Sequence, residues 1–97
     1  MTDMSVTVLL PGVLRADAGG SGHLSLELPP GATLRVALDQ LAARHPRLDR
    51  RLRDDQGALR RYVNLYVDGA ECRGLAGLDT PVPAGAELHV IPSVAGG

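Results

Sequence analysis

The sequence predicts an α+β fold in which one main helix covers one face of a mixed sheet of about five strands. Short segments in which apolar and polar residues alternate, as strands require, occur near both ends and again in the middle. A single apolar stripe with helical spacing begins at Leu34. A chain of 97 residues has room for one core. We therefore assign residues 1–92 to a single domain and 93–97 to a flexible C-terminal tail.

The first two strands should pair as a hairpin. Residues 5–10 alternate and are rich in β-branched side chains, which favours a strand. Leu24, Leu26 and Leu28 then alternate with polar residues along a second strand. The glycine-rich residues 18–22 indicate a flexible turn between them. The Pro-Pro-Gly that follows ends the second strand, because proline has no amide proton to donate.

The main helix should begin after Thr33, a suitable N-cap residue. Its apolar residues recur with the spacing of one helix face: Leu34, Ala37, Leu38, Leu41 and Ala42. Pro46 disfavours helical geometry at His45 and should end the helix there. Leu48 and Leu52 then predict a short helical turn packed on the core.

Three further strands are predicted in the second half of the chain. Residues 61–67 alternate most regularly, with Val63, Leu65 and Val67 on one side and Tyr62, Asn64 and Tyr66 on the other. Asp68-Gly69 is typical of a tight turn, and residues 70–72 form a short return strand. After a loop with two prolines, residues 87–91 form the last strand.

A hairpin, a crossover helix and three more strands correspond to the β-grasp plan. A sheet with one covered face leaves its other face free for a partner. We expect Tyr62, Asn64, Tyr66 and His89 to lie on this open face and to form part of a docking surface. An ordinary solvated sheet face is the alternative interpretation.

The composition narrows the classes of partner. The net charge is −1, and Tyr62 and Tyr66 are the only aromatic residues, so we expect no binding to nucleic acid or membrane. Cys72 is the single cysteine, which excludes an internal disulfide and fits a reducing compartment. No apolar stretch is long enough to span a bilayer, and the N-terminus lacks the basic segment of a signal peptide. We therefore expect a cytoplasmic protein.

The residues that usually carry catalysis are scattered. His23, His45 and His89 fall on separate elements without ligand spacing, and Cys72 has no second cysteine beside it. The sequence contains no nucleophile elbow, no phosphate loop and no paired-carboxylate motif. We therefore expect no metal site, no bound cofactor and no self-sufficient enzyme activity.

The basic residues are all arginine, and seven of the ten fall between Arg44 and Arg61 together with three aspartates. Sparse aromatic residues and the lack of a recognition motif argue against a nucleic-acid site. A solvated helix face is one interpretation. The other is a patch that steers an acidic partner, which would make association sensitive to salt. Because the chain has no lysine, it offers no side-chain amine for lysine-linked chains on itself.

The C-terminus, Val94-Ala95-Gly96-Gly97, follows the last strand almost directly. Two terminal glycines lose the most backbone entropy on ordering, so they stabilise nothing in the fold. They make the tail thin enough to enter a narrow active-site channel, and they leave an unhindered carboxylate at Gly97. A frayed or tag-derived end has the same appearance, so this signal needs support from the rest of the chain.

Three segments supply that support: residues 30–34 (PGATL), 63–68 (VNLYVD) and 78–97, which end in HVIPSVAGG. With them the chain resembles the ThiS/MoaD family of ubiquitin-like sulfur carriers over nearly its whole length. Residues 46–61 and the central strand look most like the CysO-like subgroup. The glycine-rich residues 18–22 match no particular subgroup.

The resemblance implies a mechanism at the Gly97 carboxylate, with Gly96 next to it and Val94 and Ala95 contacting the partner. An E1-like adenylyltransferase would use ATP and Mg²⁺ to adenylate Gly97. Sulfide or a sulfurtransferase would then supply the sulfur. A biosynthetic enzyme would accept it from the thiocarboxylate, for cysteine, a cofactor or a secondary metabolite.

Three other functions remain open at this stage. The chain could be the small structural subunit of a molybdopterin-synthase-like complex, with its tail held permanently in the large subunit. It could be a ubiquitin-like modifier that forms isopeptide bonds on target proteins. It could also be a plain β-grasp binding module, for which the terminal glycines would be irrelevant.

Overall fold

The computed structural model describes residues 3–92, which fold into five strands and three helices. The strands are β1 (Met4–Leu9), β2 (His23–Leu28), β3 (Val63–Val67), β4 (Ala70–Glu71) and β5 (Glu87–Pro92). The helices are α1 (Gly12–Arg15), α2 (Leu34–Arg44) and α3 (Pro46–Leu52). The predicted strands, the main helix and the short helix after Pro46 are confirmed.

The sheet is mixed, as predicted, with the strand order β2-β1-β5-β3-β4. β1 and β2 form the expected antiparallel hairpin, in which Met4 lies opposite Leu28 and Leu9 opposite His23. β5 lies between β1 and β3, parallel to the first and antiparallel to the second. The last described strand therefore occupies the centre of the sheet.

The core lies between the sheet and the helices. Alternate side chains of the strands point to this side, as the period of two requires, and they are buried with the apolar face of α2 and with Leu48 and Leu52 of α3. Within the predicted helix stripe, the first four apolar residues are buried and Ala42 is half-buried. The intervening strand residues lie on the opposite, open face of the sheet.

The junction between α2 and α3 follows from two residues. The Thr33 hydroxyl oxygen accepts a hydrogen bond from the Val36 amide at 3.5 Å and so caps the start of α2. Pro46 is the first residue of α3, where its missing amide proton is no loss. His45 between the helices has non-helical backbone angles, as the residue before a proline prefers.

A buried arginine joins the two helices. Arg53 follows α3 and is only 7% exposed. Its Nε donates to Asp49 Oδ1 at 2.7 Å, and its Nη1 donates to Asp39 Oδ1, on α2, at 2.9 Å. Burial by itself lowers the pKa of Arg53, but the hydrogen bonds and charges of the two aspartates outweigh it, so the net shift is upward. The cluster therefore keeps a charged guanidinium at the edge of the core.

The structure differs from the prediction in three connections. The link between β1 and β2 contains α1 and a 3-10 turn, Ala16–Ala18, because Leu14 and Ala18 pack into the core one helical turn apart. β3 begins at Val63, not at residue 61, because the Val63 amide donates to the Arg60 carbonyl and closes a turn. Cys72 begins a 3-10 turn and does not extend β4.

Candidate functional site

The predicted reactive tail, with Val94, Ala95, Gly96 and Gly97, lies outside the described residues. What the structure describes is its root. Ile91 and Pro92 end β5, where they lie opposite Asn64 and Val63 of β3. The described chain therefore ends in the middle of the sheet, at the end where β3 begins.

The open face brings together three of the four predicted docking residues. Tyr66 lies directly opposite His89, and Asn64 lies opposite Ile91, on adjacent strands. Opposed residues of neighbouring strands have their Cβ atoms about 5 Å apart. Tyr62 precedes β3, in the turn, and is 52% exposed. It is therefore not part of the paired row, although it stands at the same end of the sheet.

The open face also holds two apolar residues that the sequence analysis missed. Ile91 is 47% exposed although it is in the sheet. Leu9 of β1 lies beside His89 in the parallel pairing of β1 and β5. The signal was present, because the alternation that places His89 outwards also places Ile91 outwards.

A shallow groove of about 220 Å³ adjoins this row next to the tail root. Its walls are the end of β1 and the end of β5: Leu9, Leu10, Pro11, His89, Val90 and Ile91. β1 stops at Leu9 and turns into α1, whereas β5 continues to Pro92, so this side of β5 has no β1 residue paired with it beyond His89. The groove is of a size to accept an apolar side chain of a partner.

Charged side chains lie on both sides of the row formed by Asn64, Tyr66, His89 and Ile91. His89 Nε2 lies 3.8 Å from Glu87 Oε1, a contact that becomes an ion pair only when the imidazole is protonated. At the opposite edge, Arg73 donates to Asn64 Oδ1 at 3.3 Å and to the Arg60 carbonyl at 2.8 Å. The second of these contacts joins the 3-10 turn after β4, Cys72–Gly74, to the segment before β3. Asn64 is thus held in a polar network beside Ile91.

Residues 3–92 contain no group of three or more His, Cys, Asp or Glu side chains arranged to hold a metal ion. Over the same residues, no helix has the length and hydropathy that crossing a bilayer requires.

The single thiol, Cys72, is buried on the core side of the sheet. Burial, and after it the charge of Glu71, raises the pKa of the Cys72 thiol. Both effects disfavour the thiolate, which is the reactive form. In the structure this side chain acts as a small core residue and not as a nucleophile.

We predict that Cys72 is protected from a disulfide reagent such as Ellman's reagent in the native protein and reacts fully after unfolding in guanidinium. The thiol of the unfolded chain should lose its proton at a lower pH than the native thiol. Stability should therefore decrease as the pH rises above the pKa of the unfolded thiol. Rapid, complete labelling of the folded protein at neutral pH would contradict the assignment.

Comparison with known proteins places this geometry in a family. The model of the ThiS family matches residues 8–97. The sulfur carrier protein CysO of Mycobacterium tuberculosis is 36% identical over 96 residues, which is 97% of this chain and 100% of that protein. The small archaeal modifier protein 1 of Haloferax volcanii is 34% identical over 82 residues, covering 84% of this chain and 90% of that protein.

Solved structures agree with these matches. A chain in the crystal structure of the Amycolatopsis orientalis BexX/CysO complex superposes with a TM-score of 0.83 at 35% identity, covering 95% of this chain and 99% of that chain. The β-grasp, ubiquitin-like fold and the resemblance to sulfur carriers predicted from the sequence are thereby confirmed. The chain belongs to the ThiS family.

Proposed function

We propose that this protein is a sulfur carrier whose Gly97 carboxylate is converted to a thiocarboxylate and then donates its sulfur in a biosynthetic reaction. The observation that carries the proposal is the extent of the similarity. The family match runs through residue 97, and a protein named as a sulfur carrier aligns over its whole length at 36% identity. The Gly-Gly end follows the central strand of the sheet after only three intervening residues.

The proposed chemistry starts from an unreactive group. A carboxylate is a poor acyl donor because neither of its oxygens is a good leaving group. A carboxylate oxygen of Gly97 attacks the α-phosphorus of ATP, in an E1-like adenylyltransferase with Mg²⁺, and pyrophosphate leaves. Hydrosulfide then attacks the carbonyl carbon of the acyl adenylate, AMP leaves and one proton is released. If a sulfurtransferase persulfide is the donor, a thiol must reduce the acyl disulfide that forms.

In this proposal the protein is a cosubstrate and not an enzyme. The adenylyltransferase, the sulfur donor and the accepting enzyme supply the catalytic groups, and the carrier supplies a reactive atom on a thin tail. Gly96 and Gly97 would enter the active-site channel, and Val94 and Ala95 would line the contact at its mouth. The folded domain then acts as the handle by which each partner recognises the carrier.

We place the partner contact on the open sheet face beside the tail root. A partner that receives the tail must approach the end of β5, because Pro92 is the last described residue before it. There it meets the exposed Ile91, the groove next to it, and the row of Asn64, Tyr66 and His89. An apolar anchor surrounded by polar groups is the usual anatomy of a protein–protein contact.

We predict that Ile91→Glu lowers kcat/KM for thiocarboxylation by about tenfold, since a charge would replace an apolar anchor at the centre of the contact. The matched control is Leu75→Glu, because Leu75 is 52% exposed but lies outside the strands. Thermal unfolding of both variants separates a docking defect from a folding defect. Equal rates for the two variants would remove Ile91 from the docking surface.

The proposed function is tested by intact-mass spectrometry. The protein is incubated with ATP, Mg²⁺, sulfide and the E1-like adenylyltransferase of its host. The expected result is a mass increase equal to the replacement of one oxygen by sulfur, located at Gly97 by fragmentation. An unchanged mass, with an adenylyltransferase that is active on another carrier, would favour a plain binding module.

Protein modification is the second candidate, because the Haloferax relative is named a small archaeal modifier protein. The same activated Gly97 would then be attacked by a target lysine, forming an isopeptide bond with loss of AMP. Since this chain has no lysine, its conjugates should contain no lysine-linked chains of the protein itself. Gly97-dependent conjugates detected in host cells would support this role.

A further inference from the structure

The charges of the chain are strongly segregated. Between Arg44 and Arg61 there are seven arginines and three aspartates, whereas the rest of the chain has three arginines and eight carboxylates. The net charge of −1 therefore conceals a basic region centred on α3 and the segment before β3. The sulfur-transfer chemistry proposed above makes no use of this region.

The structure shows how the nearby acidic groups are occupied. Asp49 and Asp39 bind the buried Arg53, and Asp17 pairs with Arg51 at 3.3 Å. Asp54 Oδ1 accepts from the amides of Gln56 and Ala58 and so holds its own loop. Among the aspartates around α3, this leaves Asp55, an exposed loop residue, without a hydrogen bond or ion pair in the described part of the chain.

Three arginines of this region have neither an ion pair nor a hydrogen bond in the described part of the chain, whereas Arg44 and Arg60 each donate to a backbone carbonyl. Arg47, Arg50 and Arg61 are exposed, and their side chains make no hydrogen bond or ion pair with any residue in the range 3–92. Arg47 and Arg50 are three residues apart on α3, on one side of the helix. The neighbouring Arg60 donates its Nε to the Arg50 carbonyl at 2.9 Å, which brings residues 60–61 against the end of that helix. We call these three residues the arginine patch.

The arginine patch lies at the end of the sheet from which the tail departs. Arg61 comes two residues before Val63, and Val63 is paired with Pro92, the last residue of β5. Residues 60–63 form a turn that the Val63 amide closes by donating to the Arg60 carbonyl at 3.0 Å, so Arg61 lies in the turn directly before β3. Arg61 is therefore close to the tail root, and a partner that receives the tail comes within reach of the patch.

We propose that Arg47, Arg50 and Arg61 form a docking site for an acidic surface of the partner protein that receives the tail. This inference rests on the proposed carrier function, because that function identifies the partner as the protein that receives the tail. Guanidinium groups bind carboxylates in bidentate geometry. Opposite charges on two proteins also accelerate their association, and salt weakens this effect. The open face would then supply the apolar contact and the arginine patch the electrostatic one.

An acidic protein surface fits these observations better than a nucleic acid. Nucleic-acid-binding domains usually have an isoelectric point above about 9, whereas this chain has a pI near 6.2. Its remaining charges are mainly acidic and would repel a long polyanion. A compact protein surface avoids that repulsion, because it needs to meet only the patch.

The first test measures kcat/KM of thiocarboxylation by the host's E1-like adenylyltransferase at low and high salt. Changing all three arginines of the patch to glutamine should reduce the value about tenfold at about 0.05 M NaCl. The loss should shrink to about twofold or less at about 0.5 M, where charges are screened. The three single Arg→Gln variants are measured as well, and their control is Arg35→Gln, which removes one arginine charge, paired with Asp79, about 14 Å along α2 from Arg44.

If kcat/KM and its salt dependence are unchanged in the triple variant, the arginine patch is not a docking site, and the proposed carrier function is unaffected. If the unmodified protein is not thiocarboxylated at all, the proposed function fails. A second measurement then tests whether the arginine patch binds an acidic partner. An oligoglutamate peptide and an oligouridylate of equal charge are titrated into isotope-labelled protein and followed by NMR. The proposal is supported if the peptide changes the NMR chemical shifts of residues around the three arginines and if these changes are absent in the triple variant.

Tighter binding of the oligouridylate than of the peptide would instead identify a nucleic-acid site and overturn the proposal. So would sedimentation showing that the protein self-associates through the patch, with the triple variant monomeric. In that case the acidic surface would belong to a second copy of this chain.

Discussion

Removing Gly97, or adding one glycine after it, should abolish thiocarboxylation and leave the fold intact. Each residue of an extended tail spans at most about 3.3–3.6 Å, so either change moves the carboxylate by that distance from the adenylation site. A misplacement of about 1 Å can already reduce a rate about a hundredfold. We therefore expect no detectable thiocarboxylate in the mass spectrum under conditions that convert the unmodified chain completely.

The stability of these variants should stay within about 0.5 kcal/mol of the unmodified protein, as for surface changes in general. The described core lies between Val6 and Val90, and the strand pairing ends at Pro92. The matched control is one extra glycine at the N-terminus, before β1, which changes the length equally but should be activated normally. Thiocarboxylation of Gly96 in the shortened chain at an undiminished rate would contradict the argument from reach.

The sequence predicted the longer elements of this fold well because these have a clear period. The alternation at Val63, Leu65 and Val67 and the helical stripe from Leu34 are both reproduced in burial. The limits of elements were less predictable where single hydrogen bonds decide them. Whether β3 begins at residue 61 or 63 depends on the turn that the Val63 amide closes with Arg60, and no periodicity reports such a turn.

The four-residue helix α1 was not predicted for a related reason. One helical turn is too short to show an apolar stripe in the sequence. The turn forms because the Leu14 side chain packs into the core, and this tertiary contact is not visible in the sequence. The candidate site was predicted in part. Outward positions on β3 and β5 follow from alternation, but their neighbours depend on the strand order. That β5 lies between β1 and β3, which places Leu9 beside His89, is information that only the folded sheet contains.

Arg53 shows most clearly what the sequence alone could not reveal. In the sequence it is one of seven clustered arginines, for which a solvated helix face was one interpretation. In the structure its side chain is buried, with only 7% of its surface exposed to solvent, and it binds two aspartates. Asp49 is four residues away on α3, a spacing visible in the sequence. Asp39 belongs to α2, and its contact with Arg53 arises only when the two helices pack.

We predict that Arg53→Met lowers the free energy of unfolding by about 2–3 kcal/mol, because breaking a buried ion pair leaves a desolvated charge without a partner. This estimate lies below the range for fully buried pairs, since Asp39 is 62% exposed and can regain water. The stranded group is Asp49, at 22% exposure. The melting temperature should fall by about 10 °C or more for a domain of this size.

The double variant Arg53→Met/Asp49→Asn separates the cost of the stranded charge from the loss of the arginine itself. Removing the Asp49 charge should restore about 1 kcal/mol or more, since a neutral amide is cheaper to leave in this site than a carboxylate. The control, Asp39→Asn alone, should cost less than about 1 kcal/mol because that carboxylate is largely hydrated. If Arg53→Met is as stable as the unmodified protein in urea titration, methionine packing replaces the ion cluster, and the cluster does not hold α2 against α3.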